Sequence, residues 1–172
     1  DLEVDRKSSY TEYPESDKAK EAILAGVYYG FGGAFGRGYM EAALLSSDEF
    51  MAVTFGGNWY DGGNYIHSSL HASLPGDALV DWAGDIPAAI TKCNQANFDL
   101  GGEAENNAEQ EALIAPALAM RAFYHFIFMD TFGATPKFDH LIGDSEAIVR
   151  SPRSEITIFI ESDLLRAVAS GG

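Results

Sequence analysis

The residues best suited to ligand chemistry lie close together in a segment that contains two pairs of glycines, Gly56–Gly57 and Gly62–Gly63. They are Asn58, Trp59, Tyr60, Asp61, Asn64 and Tyr65, within eight positions of the sequence. Trp and Tyr side chains present flat apolar faces with a polar edge, which suits a pyranose ring. Neighbouring amides and a carboxylate can satisfy sugar hydroxyls that lose water on binding. We therefore predict that these six residues form a sugar-binding platform. The alternative is that Trp59 and Tyr60 only pack their segment onto neighbouring helices.

One glycine pattern has the spacing of a nucleotide-binding loop. Gly26, Gly30 and Gly32 form GxxxGxG, as in short-chain dehydrogenases, where the glycines let a phosphate approach the start of a helix. That loop follows a buried strand, whereas residues 17–27 have the period of a helix. In addition, no Tyr is followed four residues later by Lys, the proton-transfer pair of those enzymes. The pattern therefore does not predict a cofactor site.

Metal and nucleophile motifs are also incomplete. His67 and His71 have the spacing of two ligands on one helix face, but no acid lies between them in the HExxH arrangement. Residues 61–64 resemble part of a calcium loop without its alternating oxygen donors, so a tight turn is the simpler interpretation. Ser46 and Ser47 have no base arranged beside them, and GxSxG does not occur. We predict no catalytic residue, no cofactor and no metal.

Composition excludes some partners. The 172 residues include 11 basic and 26 acidic side chains, for a net charge of -15, which would repel nucleic acid and anionic membrane surfaces but not a neutral ligand. The single cysteine, Cys93, excludes an internal disulfide and a multi-cysteine zinc site, and is expected to pack as a small apolar side chain. No run approaches the roughly 18 apolar residues of a membrane-spanning helix.

Hydrophobic periodicity predicts an all-α fold. Helical periodicity extends over residues 17–29, 77–98, 109–132 and 153–169, and a short apolar segment at 39–45 is expected to be helical too. Glycines between positions 30 and 38 are expected to break the first helix. Residues 1–16 are predicted to be an extended lead-in, and residues 46–76 a long loop. Since strand alternation is not found, we predict helices packed on helices.

The segment 109–132 is the most informative of these helices. Its apolar side chains surround the helix on nearly all sides, which predicts that it is sandwiched between others. Pro116 predicts a bend one turn upstream, and Pro87 a new turn or kink in the preceding helix. Gly133 is expected to end the long helix, and Pro136 to prevent its resumption.

Two charged residues lie on otherwise apolar helical faces. Arg121 falls within the long apolar helix, and Asp163 borders the apolar stripe of the last helix. A buried charge without a partner costs several kcal/mol, so each side chain needs a partner or water. We predict that they pair with each other and dock the last helix, with the alternative that each reaches water at a groove.

Three segments resemble motifs of one family, in the expected order. Residues 120–136 resemble the "LRAxxYFxLxxxFGxxP" helix and turn of the SusD/RagB family, and residues 151–164 resemble its "PRxxEVYxxIxxDL". A weaker third match places Trp82, Ile86, Ile90 and Asn94 on "WxxxYxxIxxxN". The resemblance covers residues 17–169. The chain departs from the pattern by two prolines inside presumed helices and by Ala119 and Met120, where the family has a bulkier pair.

The resemblance implies a fold and a function. The fold would be a stack of tetratricopeptide-like helix pairs with long irregular loops that carry the ligand site. Residues 17–172 would be the amino-terminal part of a longer protein. Its function would be the non-catalytic binding of oligosaccharide or a similar nutrient at the exterior of the outer membrane, for a TonB-dependent transporter barrel. The protein would be held there by a lipid anchor attached upstream of Asp1. A helical-repeat module that binds a protein or peptide is the alternative.

Overall fold

The computed structural model describes residues 17–52, 64–72, 84–101, 107–143 and 145–170. The lead-in predicted for residues 1–16 lies outside this part of the chain. Within it, the chain forms six α-helices, one π-helix and two short strands. They are α1 (Asp17–Phe31), the π-helix (Gly32–Tyr39), α2 (Met40–Leu45), α3 (Asn64–Ser69), α4 (Asp85–Asp99), α5 (Ala108–Phe132), β1 (Thr135–Pro136), β2 (Arg150–Ser151) and α6 (Arg153–Ser170).

The glycines after α1 do not break the helix, so that prediction is wrong. The chain stays helical from α1 through the π-helix into α2. Gly30 shows why glycine is needed here, because a Cβ at this position would lie 2.8 Å from the Cβ of Ala89 on α4. The glycine lets the two helices approach closely, which outweighs its weak helical preference. A π-helical turn is uncommon and is found most often at functional sites.

Residues 46–76 contain the short helix α3, so the prediction of a loop throughout is wrong. Six residues are too few to show a helical period in the sequence. The helix ends in a Schellman motif: the amide of Ala72 donates to the carbonyl of His67 at 2.8 Å, and that of His71 donates to Ser68 at 3.2 Å. His71 has φ 54° and occupies the left-handed position that glycine usually takes. Residues 53–63 and 73–83 lie outside the described chain.

Helix α4 begins just before Pro87, which is its third residue. A backbone amide in the first turn has no acceptor within the helix, so proline is tolerated there. The new turn predicted at Pro87 is therefore the start of the helix. The predicted start of this helix, near residue 77, lies outside the described residues. Ile86, Ile90 and Cys93 on its inner face are fully buried, which confirms the packing expected for the cysteine.

Helix α5 is the centre of the fold and contacts α1, the π-helix, α4 and α6. The side chain of Asn107 caps it by accepting a hydrogen bond from the amide of Gln110 at 2.9 Å, and Gly133, with φ 77°, ends it. The helix continues through Pro116. By length and composition it could cross a membrane, but 56% of its most apolar window is buried inside the fold. The predicted sandwiched helix is therefore confirmed.

A short antiparallel pair joins the two ends of the segment between α5 and α6. Thr135 pairs with Ser151 and Pro136 with Arg150. This bridge brings the start of α6 back to the end of α5, so that the two helices pack along their length. The predicted all-α class is confirmed, with these two short strands as its only sheet among the described residues.

Candidate functional site

A buried polar centre joins α5 to α6. The Arg121 guanidinium donates two parallel hydrogen bonds to the Asp163 carboxylate, from Nε to Oδ2 at 2.7 Å and from Nη2 to Oδ1 at 2.8 Å. Both residues are only 5% exposed. The predicted pair is therefore confirmed, and the alternative in which each side chain reaches water is wrong. Two parallel bonds make this the strongest geometry between guanidinium and carboxylate.

The same centre holds residues 138–140, which we call the strap. Nη1 of Arg121 donates to the Asn94 side-chain oxygen at 2.8 Å and to the carbonyl of Asp139 at 2.9 Å. The Asn94 amide in turn donates to the carbonyls of Phe138 and His140, at 3.1 and 2.8 Å. Asn94 is the last residue of the weakest sequence motif, and its buried amide ties α4 to the strap. The centre thus fixes three helices and a connecting segment relative to one another.

His125 completes the centre as a neutral side chain. The amide of Phe138 donates to Nε2 at 3.2 Å, so Nε2 is an acceptor and the proton lies on Nδ1, which is 2.9 Å from the carbonyl of Arg121. Burial, together with the Arg121 charge, lowers the pKa of His125 to about 4, although the hydrogen bond to the Arg121 carbonyl opposes this shift. Its role is structural, since it holds the start of the strap against α5.

The outer side of the strap carries an exposed group of charges. His140 Nδ1 lies 2.6 Å from Asp139 Oδ1, and its Nε2 lies 2.9 Å from Glu146 Oε1. Lys137 Nζ lies 2.8 Å from the other Asp139 oxygen. The hydrogen bonds to Asp139 and Glu146 raise the pKa of His140. Because these side chains are largely open to solvent, the pairs contribute little stability.

The predicted sugar platform falls mostly outside the described chain. Asn58, Trp59, Tyr60 and Asp61 lie in the segment 53–63, so the platform stays a prediction. Asn64 is the first residue of α3. Tyr65 follows it and is 8% exposed, packed with Leu45 and Ala52 in a small apolar cluster. Its ring is therefore occupied by core packing, which leaves Trp59 and Tyr60 as the aromatic candidates.

The apolar cluster brings the two ends of the segment 53–63 together. Ala52 precedes this segment, Tyr65 follows it, and both belong to the cluster. The amide of Ala52 also donates a hydrogen bond to the Ser69 side-chain oxygen at 3.3 Å. The residues on either side of the segment 53–63 therefore share one apolar base with α2 and α3.

A cleft of about 520 Å³ opens beside this base. Ala42 and Ala43 on α2 supply methyl groups, and Ser46 and Ser68 supply hydroxyls. Asp130 and Thr131 at the end of α5 form the other wall, and His71, just after α3, also lines the cleft. The volume falls within the range of roughly 300–1,000 Å³ that is usual for small-molecule sites. Sequence reasoning missed this cleft because its residues come from three separate helices.

Tyr39 and Asp130 form the polar contact of the cleft. The Tyr39 hydroxyl donates to Asp130 Oδ2 at 2.8 Å, across 91 positions of sequence. That hydrogen bond, helped by burial, raises the pKa of Tyr39, so the phenol stays protonated at neutral pH. Asp130 Oδ1 has no hydrogen-bond partner among the described residues. The pair therefore offers acceptor oxygens to a ligand at the edge of the cleft.

A row of stacked rings leads from α1 to this pair. The Phe31 and Phe35 rings lie 4.9 Å apart between centroids, and Phe35 and Tyr39 lie 5.6 Å apart with an interplanar angle of 21°. Phe123 on α5 packs against both phenylalanines, at 5.7 and 5.3 Å. The spacing of four residues aligns these rings because the backbone between them is helical throughout. The row fixes the direction of the Tyr39 side chain.

The other candidate motifs do not form sites. Gly26 and Gly30 lie inside α1, so the strand that a nucleotide-binding loop requires is replaced by a helix. Burial raises the pKa of the Cys93 thiol to about 12, which makes it a poor nucleophile. No group of three or more metal-ligating side chains occurs in the described part of the chain.

Comparison with known proteins identifies the fold. No family model and no curated protein sequence matches the chain. Among solved structures, a laminarin-binding SusD-like protein matches 90% of the chain with a TM-score of 0.76 and 21% identity, over 34% of its own length. A SusD-like protein from Bacteroides fragilis matches 90% with a TM-score of 0.69 and 17% identity, over 29% of its length. A SusD superfamily protein from Bacteroides thetaiotaomicron matches 89% with a TM-score of 0.69, over 37% of its length.

The fold of the chain is therefore the SusD-like fold. This confirms the resemblance drawn from the three sequence motifs. The chain spans about a third of the length of the structures that it matches.

Proposed function

We propose that this chain is part of a non-catalytic surface protein that binds oligosaccharide and delivers it to a TonB-dependent transporter in the outer membrane, held there by a lipid anchor. The observation that carries the proposal is its likeness, over 90% of the chain, to a protein described as binding laminarin. Three sequence motifs of the SusD/RagB type support it independently.

The site chemistry agrees with binding rather than catalysis. The buried centre is fully paired within the fold, and its histidine is neutral and inaccessible. Glycan recognition instead needs aromatic faces and fixed hydrogen-bonding groups on a rigid base. The described residues that flank the segment with Asn58, Trp59, Tyr60 and Asp61 pack on such a base, formed by α2 and α3. We assign these residues, with Asn64 at the segment's end, to the oligosaccharide site.

The test is the loss of the Trp59 ring. Trp59→Ala should abolish oligosaccharide binding in isothermal titration, because the stacking face is lost, while the melting temperature changes little. Tyr29→Ala is the matched control, since Tyr29 is an aromatic residue that is 81% exposed on α1, outside the predicted platform residues. If Trp59→Ala unfolds the protein or leaves the affinity unchanged, the platform is wrong. If the unaltered protein binds no glycan but captures a peptide, the helical-repeat alternative is correct.

A further inference from the structure

The cleft between α2, α3 and the end of α5 combines the groups that recognise an uncharged polyol. Its methyl groups, from Ala42 and Ala43, suit the C–H face of a sugar ring, and its hydroxyls and acceptor oxygens suit the ring's hydroxyl edge. A phosphate or carboxylate ligand would need positive charge, and among the described residues that line the cleft none is lysine or arginine. The chemistry favours a neutral ligand with several hydroxyl groups.

The Tyr39–Asp130 pair gives this cleft its specificity. Since the Tyr39 hydroxyl donates to Asp130 Oδ2 at 2.8 Å, both groups face a ligand as acceptors. Two acceptor oxygens side by side match two neighbouring sugar hydroxyls acting as donors. Hydrogen bonds to a carboxylate are stronger than those to a neutral oxygen. The carboxylate also repels acidic sugars.

The pair is fixed in place before any ligand binds. Tyr39 ends the row of stacked rings that begins at Phe31, and Asp130 lies on the central helix α5. Groups held by packing lose little conformational freedom on binding, which raises affinity.

We propose that the cleft is a subsite for one uncharged pyranose unit, with neighbouring hydroxyls bound by the Tyr39 hydroxyl and the Asp130 carboxylate. The subsite rests on the proposed function and deepens it, because it lies at the base of the segment that carries the predicted platform. The acidic side chain makes the protein selective for neutral over uronic-acid glycans.

The experiment compares Tyr39→Phe and Asp130→Asn with the unaltered protein. Isothermal titration uses laminarin oligosaccharides and maltooligosaccharides as neutral probes and oligogalacturonate as the acidic probe. Each substitution should weaken binding of the neutral probe roughly tenfold, as expected for the loss of one good hydrogen bond. Asp130→Asn should also reduce the discrimination against oligogalacturonate. Tyr29→Phe and Asp99→Asn are the matched controls, because Asp99 likewise accepts one side-chain hydrogen bond, from Gln95 at 2.8 Å.

The outcomes separate the subsite from the general function. The subsite is refuted, while glycan binding stands, if both cleft variants bind the neutral probe as tightly as the unaltered protein does. It is also refuted if the control substitutions weaken binding as much as the cleft substitutions do. If the unaltered protein binds no neutral probe, both the subsite and the proposed function are overturned. Circular dichroism and melting curves identify any variant that has lost its fold. In that case the other cleft variant decides the test: a folded variant whose affinity for the neutral probe is unchanged refutes the subsite.

Discussion

Removal of either partner of the Arg121–Asp163 pair should destabilise the fold far more than removal of both. Arg121→Met leaves a carboxylate that is 5% exposed without its counterion. Asp163→Leu leaves a guanidinium with only the neutral oxygens of Asn94 and the Asp139 backbone, at 2.8 and 2.9 Å. Each single substitution should therefore cost about 3–5 kcal/mol of unfolding free energy.

The double substitution removes both charges but leaves those two neutral acceptors unpaired. Its cost should be about 2–4 kcal/mol, well below the sum of the single effects. The assay is urea denaturation followed by circular dichroism, arranged as a double-mutant cycle. Arg121→Lys keeps the positive charge but loses the two parallel hydrogen bonds, so its unfolding free energy should lie between those of the unaltered protein and Arg121→Met. It replaces Arg121→Met in the cycle if that variant is too unstable to measure. Strictly additive costs would refute the coupling between the two residues.

Three other perturbations have definite expected results. Gly30→Ala should cost about 1–3 kcal/mol because its Cβ would lie 2.8 Å from the neighbouring helix. Gly26→Ala, where the Cβ meets nothing within 4 Å, should stabilise the helix by up to about 1 kcal/mol. If urea denaturation shows the same change in unfolding free energy for both glycine substitutions, this reasoning is contradicted. His71→Gly should stabilise the protein by about 1 kcal/mol, because the left-handed conformation is then unstrained, and an unchanged melting temperature would argue against that strain. For His125, burial lowers the folded-state pKa from 6.5 to about 4, so the unfolded chain takes up a proton first as the pH falls. Stability should therefore drop by roughly 3 kcal/mol between pH 7 and pH 4. His125→Gln should flatten this dependence, whereas His140→Gln should not, since His140 has a raised pKa and is half exposed.

Helix positions and the buried pair were predictable because they leave local signals. The period of α1, α5 and α6 is long enough to read, and a charge within an apolar stripe must find a partner. Arg121 and Asp163 satisfied that requirement with each other. The motif around Arg121 also identified the fold, because its residues form the centre that joins the helices.

The glycine-rich stretch and α3 were not predictable for physical reasons. Glycines 30–38 carry a turn signal, yet at Gly30 the close packing of α1 on α4 requires glycine inside a helix, and the residue that it contacts, Ala89, is 59 positions away. Helix α3 is held by Leu45 and Ala52 rather than by its own periodicity. The Tyr39–Asp130 contact joins residues 91 positions apart, so no local pattern indicates the cleft.

Affinity electrophoresis in native gels tests the central claim most directly. The protein is run through gels that contain laminarin, starch, another neutral polysaccharide or polygalacturonate, beside a protein of similar size that binds no glycan. The account predicts retardation by at least one neutral polysaccharide and none by polygalacturonate. Unretarded migration of the folded protein in every neutral gel, or retardation by polygalacturonate alone, would contradict it.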